Sequence, residues 1–168
     1  MNRYKEVEGD LIKLALKGDF DVIAHGCNCF CTMGAGIAPK MAKAFECDKN
    51  ELEHKSFKGD INKLGQIDFN VKTLTGGTDE FNFFEFDLTI VNCYSQYNYG
   101  LNHADGKSKP LDYEALQLCF RKINQKFVGK KIGLPKIGCG LAGGNWAIVR
   151  KLIKAELADC DVTVVIFK

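Results

Sequence analysis

Short runs of β-branched and aliphatic residues alternate with amphipathic stretches along this chain, and the alternation predicts an α/β fold. Residues 21–25, 88–93, 131–134 and 162–167 read as buried strands, and residues 4–7 as an edge strand. Residues 66–74 and 82–86 each alternate apolar and polar positions. The Gly76-Gly77 pair between them predicts the turn of an antiparallel hairpin. A 3.6-residue period predicts helices over 37–45, 112–127 and 146–157, the second placing Leu116, Cys119, Phe120, Ile123 and Phe127 on one face. Asp112 and Asn145 stand where an N-cap is needed, since their side-chain oxygens can accept from the orphan N–H groups of a first helical turn. Strands and helices in this order predict a mixed sheet covered by helices, in a single domain over residues 1–168.

Composition narrows the picture modestly. The chain has 168 residues, 46% of them hydrophobic and 26% charged, with a formal net charge of +2. Those values fit a folded domain, and the interspersed signs make a nucleic-acid partner an unfavoured expectation. Lys126, Lys130 and Lys131 read as a solvated helix end. No stretch reaches the roughly 20 apolar residues of a membrane span, and the N-terminus lacks the apolar core of an export signal. The expectation is therefore a cytoplasmic, monomeric protein without a membrane partner. The eight cysteines contain no Cys-x-x-Cys pair, and Cys27, Cys29 and Cys31 repeat every second residue. That spacing argues against a zinc site, so reduced, mainly structural thiols and no metal are expected.

The chemistry concentrates in two glycine-rich loops, each leaving a buried strand and entering a helix. One runs His25-Gly-Cys-Asn-Cys-Phe-Cys-Thr-Met-Gly-Ala-Gly-Ile37, the other Pro135-Lys-Ile-Gly-Cys-Gly-Leu-Ala-Gly-Gly144. Missing Cβ atoms let a backbone approach a ligand closely, and a helix start offers unpaired N–H groups to a phosphate. One such loop is weak evidence; two facing loops suit a diphosphate held from both sides. Neither is a Walker loop or a dinucleotide fingerprint.

The segments His25-Gly-Cys-Asn28, Met33-Gly-Ala-Gly-Ile-Ala38 and Ile137-Gly-Cys-Gly-Leu141 resemble the ligand loops of the macrodomain family, and Val7-Glu-Gly-Asp-Leu11 resembles its opening strand and adenine-contacting acid. The resemblance spans nearly the whole chain. It is nearest the branch with yeast-type ADP-ribose 1″-phosphate phosphatases and glutamate-directed ADP-ribosyl glycohydrolases. It implies a three-layer fold, a six-stranded mixed sheet flanked by helices, with an ADP-ribose cleft at its rim and no cofactor. On this likeness Asp10 and Leu11 would meet the adenine, while amides of Gly34, Ala35, Gly36 and Ile37 and those of 138–143 would hold the diphosphate. Ile137, Gly138, Cys139, Gly140, Leu141 and Ala142 are the expected ligand contacts of the second loop. Asn28 would fix the distal ribose. Read from the residues alone, Asp10 could instead cap a helix starting at Leu11, and Asn28 could tighten its own loop.

The resemblance leaves three activities open. Hydrolysis of ADP-ribose 1″-phosphate would use His25 and Asn28 as catalytic residues, His25 orienting water or protonating the leaving oxygen. His25 could equally be a half-buried residue bonded to a loop carbonyl. Removal of ADP-ribose from acidic side chains would call for a lysine where Gln96 stands and an acid where Ala142 stands, and neither residue can form a Schiff base or move a proton. Lys107 or Lys109 would have to reach in from the long loop. A non-catalytic reader of free or protein-linked ADP-ribose would need only the cleft, with Ser95, Gln96 and Tyr97 as distal contacts. Residues 94–103, rich in tyrosine and ending in His103, read as an exposed loop beside that distal pocket; Trp146 reads as a core anchor. The leading expectation is an ADP-ribose 1″-phosphate phosphatase.

Overall fold

The computed structural model describes residues 3–99 and 110–168. Six strands form one sheet: β1 (Arg3–Glu8), β2 (Val22–Asn28), β3 (Ile67–Gly77), β4 (Phe83–Gln96), β5 (Lys131–Leu134) and β6 (Asp161–Ile166). Their order across the sheet is β1-β6-β5-β2-β4-β3, and only the β3 edge is antiparallel to its neighbour. Helices α1 (Leu11–Leu16) and α2 (Ala38–Phe45), a short α3 (Glu51–His54), α4 (Tyr113–Lys126) and α5 (Trp146–Glu156) complete the three layers. The mixed sheet covered by helices is thus as the periodicity predicts and its six strands as the resemblance implies, and the N-caps are in place: Asp112 Oδ1 accepts from Ala115 N at 2.9 Å, and Asn145 Oδ1 from Ala147 N at 2.9 Å. Among the described residues, no helix is long and apolar enough to cross a membrane.

The core divides by sheet face because successive strand residues point to opposite sides. Val22, Ala24 and Val91 pack with Leu116, Phe120 and Ile153 under α4 and α5. Ile23, Leu88 and Ile90 pack with Leu11, Met41 and Phe45 under α1 and α2. Strand β2 is buried on both faces, the usual state of a central parallel strand.

Two elements differ from expectation. Gly76 and Gly77 do not form the hairpin turn; they lie within β3, opposite Phe84 and Phe83, and the chain reverses over 78–82. There Asp79 accepts from the backbone N–H groups of Phe81 and Asn82, so a carboxylate rather than the glycines makes the turn. The runs at 82–86 and 88–93, read separately from the sequence, are one 14-residue strand, β4. Helix α3 and the 3-10 turns Cys47–Lys49 and Ile61–Lys63 carried too short a pattern to be predicted.

Candidate functional site

The chain leaves β2 and β5, adjacent parallel strands, toward opposite faces of the sheet, since β2 feeds α2 and β5 feeds α5. Such a divergence opens a crevice at the carboxyl ends of the strands. The two glycine-rich loops form its walls, and the end of β6 with Phe167 completes it, around a cleft of about 950 Å³. That volume suits a nucleotide-sized ligand.

The first wall leaves backbone amides unpaired. Helix α2 begins at the cleft with no side-chain cap on Ile37, and Pro39 in its first turn removes one N–H that would otherwise need a partner. Among the described residues, the amides of Gly34, Ala35, Gly36 and Ile37 meet no protein carbonyl. Gly36 has φ +65°, a turn that aims successive N–H groups the same way. A Cβ on Gly34 would meet nothing within 4 Å.

The second wall is tighter. Gly138 has φ +73°, and its carbonyl accepts from Gly144 N at 2.8 Å. The amides of Cys139 and Gly143 are consumed in turns, bonding Lys136 O at 3.1 Å and Gly140 O at 3.0 Å. Those of Gly138, Gly140, Leu141 and Ala142 have no protein carbonyl among the described residues. Four amides of the predicted run are therefore left without a protein carbonyl among the described residues, not all six. Helix α5 starts beyond the cleft and is capped by Asn145, so its N-terminus does not contribute as the sequence suggested. Ile137 is buried in the core with only its edge on the cleft, while Leu141 is 77% exposed and stands over the mouth.

Where β2 meets β4, the register slips between Cys27 and Asn28, leaving Ser95 as the extra residue of a bulge. Bulges re-aim side chains beside sites. Here it turns Gln96 into the cleft and Ser95 into the interior, where its buried Oγ finds no partner among the described residues. Asn28 lines the cleft, but its side chain is occupied in its own loop: Nδ2 donates to the Thr32 carbonyl at 3.0 Å, and Oδ1 accepts from Phe30 N at 3.0 Å. The loop-tightening role is realised.

His25 is not on the cleft. Its ring is fully buried on the α2 side of the sheet, 3.7 Å from the thiols of both Cys27 and Cys47. Asn92 donates through Nδ2 to Cys47 O at 2.9 Å, which presents Oδ1 to His25 Nε2 at 2.6 Å. The imidazole is therefore the Nε2–H tautomer, and burial lowers its pKa to about 4. The sequence reading of His25 as a group that reaches substrate is corrected. Depth along the strand decides it: Cys27, two residues on and on the same face, lines the cleft, while His25 lies beneath it against Asn92 and Cys47.

Asp10 caps α1, its Oδ1 accepting from Ile12 N at 2.9 Å and Lys13 N at 3.2 Å. Leu11 is buried in the core. Gly9 N bonds Ile166 O at 2.9 Å, which sets Asp10 at the sheet rim that Phe167 shares. Phe167, 69% exposed on the cleft with Lys40 Nζ 5.3 Å from its ring centroid, is an aromatic lining residue that the sequence did not reveal, since it reads as the end of a buried strand. Lys136 was also missed as a site residue; it is the one charged side chain among the described lining. Of the tyrosine-rich segment, Tyr99 lines the cleft, Tyr97 donates to Gly59 O, and residues 100–109, with His103, Lys107 and Lys109, lie outside the described residues. Trp146 packs against the core, as expected. All eight cysteines are free thiols, and burial raises the pKa of Cys27 well above its usual value.

The fold recurs in solved structures. The macrodomain of Thermus aquaticus DarG superposes over 100% of this chain and 99% of its own, with TM-score 0.62 and 20% identity. Thermosipho africanus DarTG, solved in complex with ADP-ribose, matches with TM-score 0.68 and 16% identity, over 99% of this chain and 42% of that one. The chain has the macrodomain fold. An uncharacterised 17.5 kDa protein of Enterobacteria phage T4, from the tk-vs intergenic region, is 31% identical over 96% of this chain and 94% of its own, so this chain and that protein belong to one family. No protein-family model matches the sequence.

Proposed function

We propose that this macrodomain binds ADP-ribose or a derivative of it. The observation that carries the reading is the pair of facing loops whose unpaired amides, at 34–37 and at 138 and 140–142, border one cleft. Preorganised N–H groups at a helix start suit a diphosphate. The adenine then lies toward Phe167; Asp10 is outside the cleft lining and would meet the exocyclic amine from the rim through Oδ2, the oxygen that capping leaves over. The distal ribose lies toward Asn28 and Gln96. Thermosipho africanus DarTG, part of which shares this fold, was solved in complex with ADP-ribose, and that supports this choice of ligand.

A reader suits the described site better than an enzyme does. Hydrolysis of ADP-ribose 1″-phosphate needs a proton donor or a base near the distal ribose. The described lining offers Asn28, Thr32, Gln96 and Tyr99 there, and His25 is buried beneath it. Removal of ADP-ribose from acidic side chains meets the same want, with Gln96 and Ala142 at the positions that would carry lysine and acid. Two measurements test the reading. Calorimetry with ADP-ribose, AMP and NAD should give saturable binding of ADP-ribose, weakened by Asp10→Ser, which keeps a cap but removes the carboxylate. Assays on ADP-ribose 1″-phosphate and on an ADP-ribosylated glutamate peptide should give no catalysed release; release of phosphate or of ADP-ribose would establish an enzyme instead.

A further inference from the structure

We propose that Lys63, a buried lysine outside the cleft lining, is a positioning residue that preorganises the first loop for the ligand's diphosphate; the inference rests on the ADP-ribose reading above. Lys63 ends the 3-10 turn Ile61–Lys63 and is 2% exposed. Its Nζ donates to the Phe57 carbonyl at 2.6 Å, to the Cys29 carbonyl at 2.9 Å and to Cys31 Sγ at 3.1 Å. An ammonium has three N–H groups, and all are used. Two of the acceptors belong to the first loop and the third to the 57–63 turn, so one group ties the two segments together.

Stability alone does not account for a lysine here. A buried charge is costly to desolvate, and an apolar side chain of similar size in its place is often neutral or stabilising. Nor do the carbonyls depend on it, since Cys29 O also accepts from Gly59 N at 2.8 Å and Phe57 O from Asp60 N at 3.3 Å. What an apolar side chain could not do is fix Cys29 and Cys31 against the turn. Cys31 has φ +57°, a left-handed conformation that persists in a residue with a side chain where its surroundings hold it. The turn is braced from its other side by Tyr97, whose Oη donates to Gly59 O at 2.9 Å and whose ring meets Phe30 edge-on, 5.2 Å between centroids. The path to the site is short. Thr32 follows Cys31 and is clamped by Asn28, and the amides of 34–37 come next, without a protein carbonyl among the described residues. That stretch hangs between two anchors, the start of α2 and the turn at 28–31 that Lys63 holds. With the second anchor loose, the ligand must order the amides itself, and binding carries that entropy.

Calorimetry with ADP-ribose and hydrogen exchange, both on the intact chain, test the proposal. Lys63→Met, close in length and without the ammonium, should remain folded because both carbonyls keep a backbone donor. It should bind ADP-ribose about tenfold more weakly, with the loss in the entropy of binding. The bonded amides of Cys29 and Cys31 should exchange faster, while those of β5 and β6 keep wild-type rates. Tyr97→Phe, which loosens the same turn from its other side, should give a smaller loss of the same kind, and it decides the matter where the methionine variant does not fold. A merely structural role would lower the melting temperature and leave the affinity of the folded protein and its binding entropy unchanged. Wild-type affinity in a folded Lys63→Met, or in Tyr97→Phe where the former does not fold, would overturn the proposal and leave the ADP-ribose reading standing; a wild type that does not bind ADP-ribose would remove both.

Discussion

At the scale of single residues, the two loops separate glycines needed for shape from glycines needed for space. A Cβ on Gly144 would sit 2.3 Å from Leu111 Cδ2 and 2.6 Å from the Gly138 carbonyl, so Gly144→Ala should destabilise the fold by about 2 kcal/mol or more. Gly140 faces open space, and Gly140→Val should leave the melting temperature unchanged while weakening ADP-ribose at least tenfold, on the order of 1.4 kcal/mol. Thermal melts beside titrations check both. Two buried titrating groups give opposite pH dependences. His25 is held neutral, its pKa lowered to about 4 by burial, so its contribution is present above about pH 6.5 and is lost as pH falls toward 4. Glu53 is the reverse: burial raises its pKa to about 7, so stability present below its ordinary value near 4.5 is lost as pH rises through 7. Replacing Glu53 with glutamine should therefore stabilise the protein at pH 8, by about 2 kcal/mol, and the gain should shrink toward zero by pH 4.5. A gain that is the same at both pH values would contradict this account of Glu53.

At the scale of elements, what the chain displays openly is its periodicity. Helices α2, α4 and α5 were legible because they are long enough to repeat an apolar stripe, and the caps Asp112 and Asn145 because a cap is a local interaction; six-residue α1 is too short for that and surfaced only as an alternative role for Asp10. The turn at 78–82 was misplaced because Gly76-Gly77 carries the stronger local signal, yet the ladder opposite Phe84 and Phe83 extends through both glycines. Tertiary pairing overrode turn chemistry there. The divergence of β2 and β5 explains why the loops face each other, and that is a property of strand order, which no local pattern encodes. It also separates the two helix starts: α2 opens on the cleft, whereas α5 begins past it. Asn145→Ala should accordingly cost about 1 kcal/mol in stability and leave ADP-ribose affinity unaltered. A parallel loss of affinity would mean that α5 takes part in the site.

At the scale of the whole molecule, the loops and the family resemblance were readable from the sequence, and the division of labour inside the cleft was not. His25 stands in a ligand-loop motif and yet is buried below the cleft that Gly26, Cys27 and Asn28 line, a distinction set by depth along β2 rather than by the motif. Asn28 spends its hydrogen bonds on Thr32 and Phe30, and a β-bulge decides that Gln96 and not Ser95 meets the cleft. Phe167 and Lys136 became visible only once β6 and the second loop were brought to one rim. The central claim is that preformed amides on facing loops bind the diphosphate of ADP-ribose. Isothermal titration of the intact chain with ADP-ribose tests it most directly. The account predicts one-to-one saturation at micromolar concentrations, abolished or greatly weakened by Gly140→Val; no saturation up to millimolar ADP-ribose, or equal binding by that variant, would contradict it.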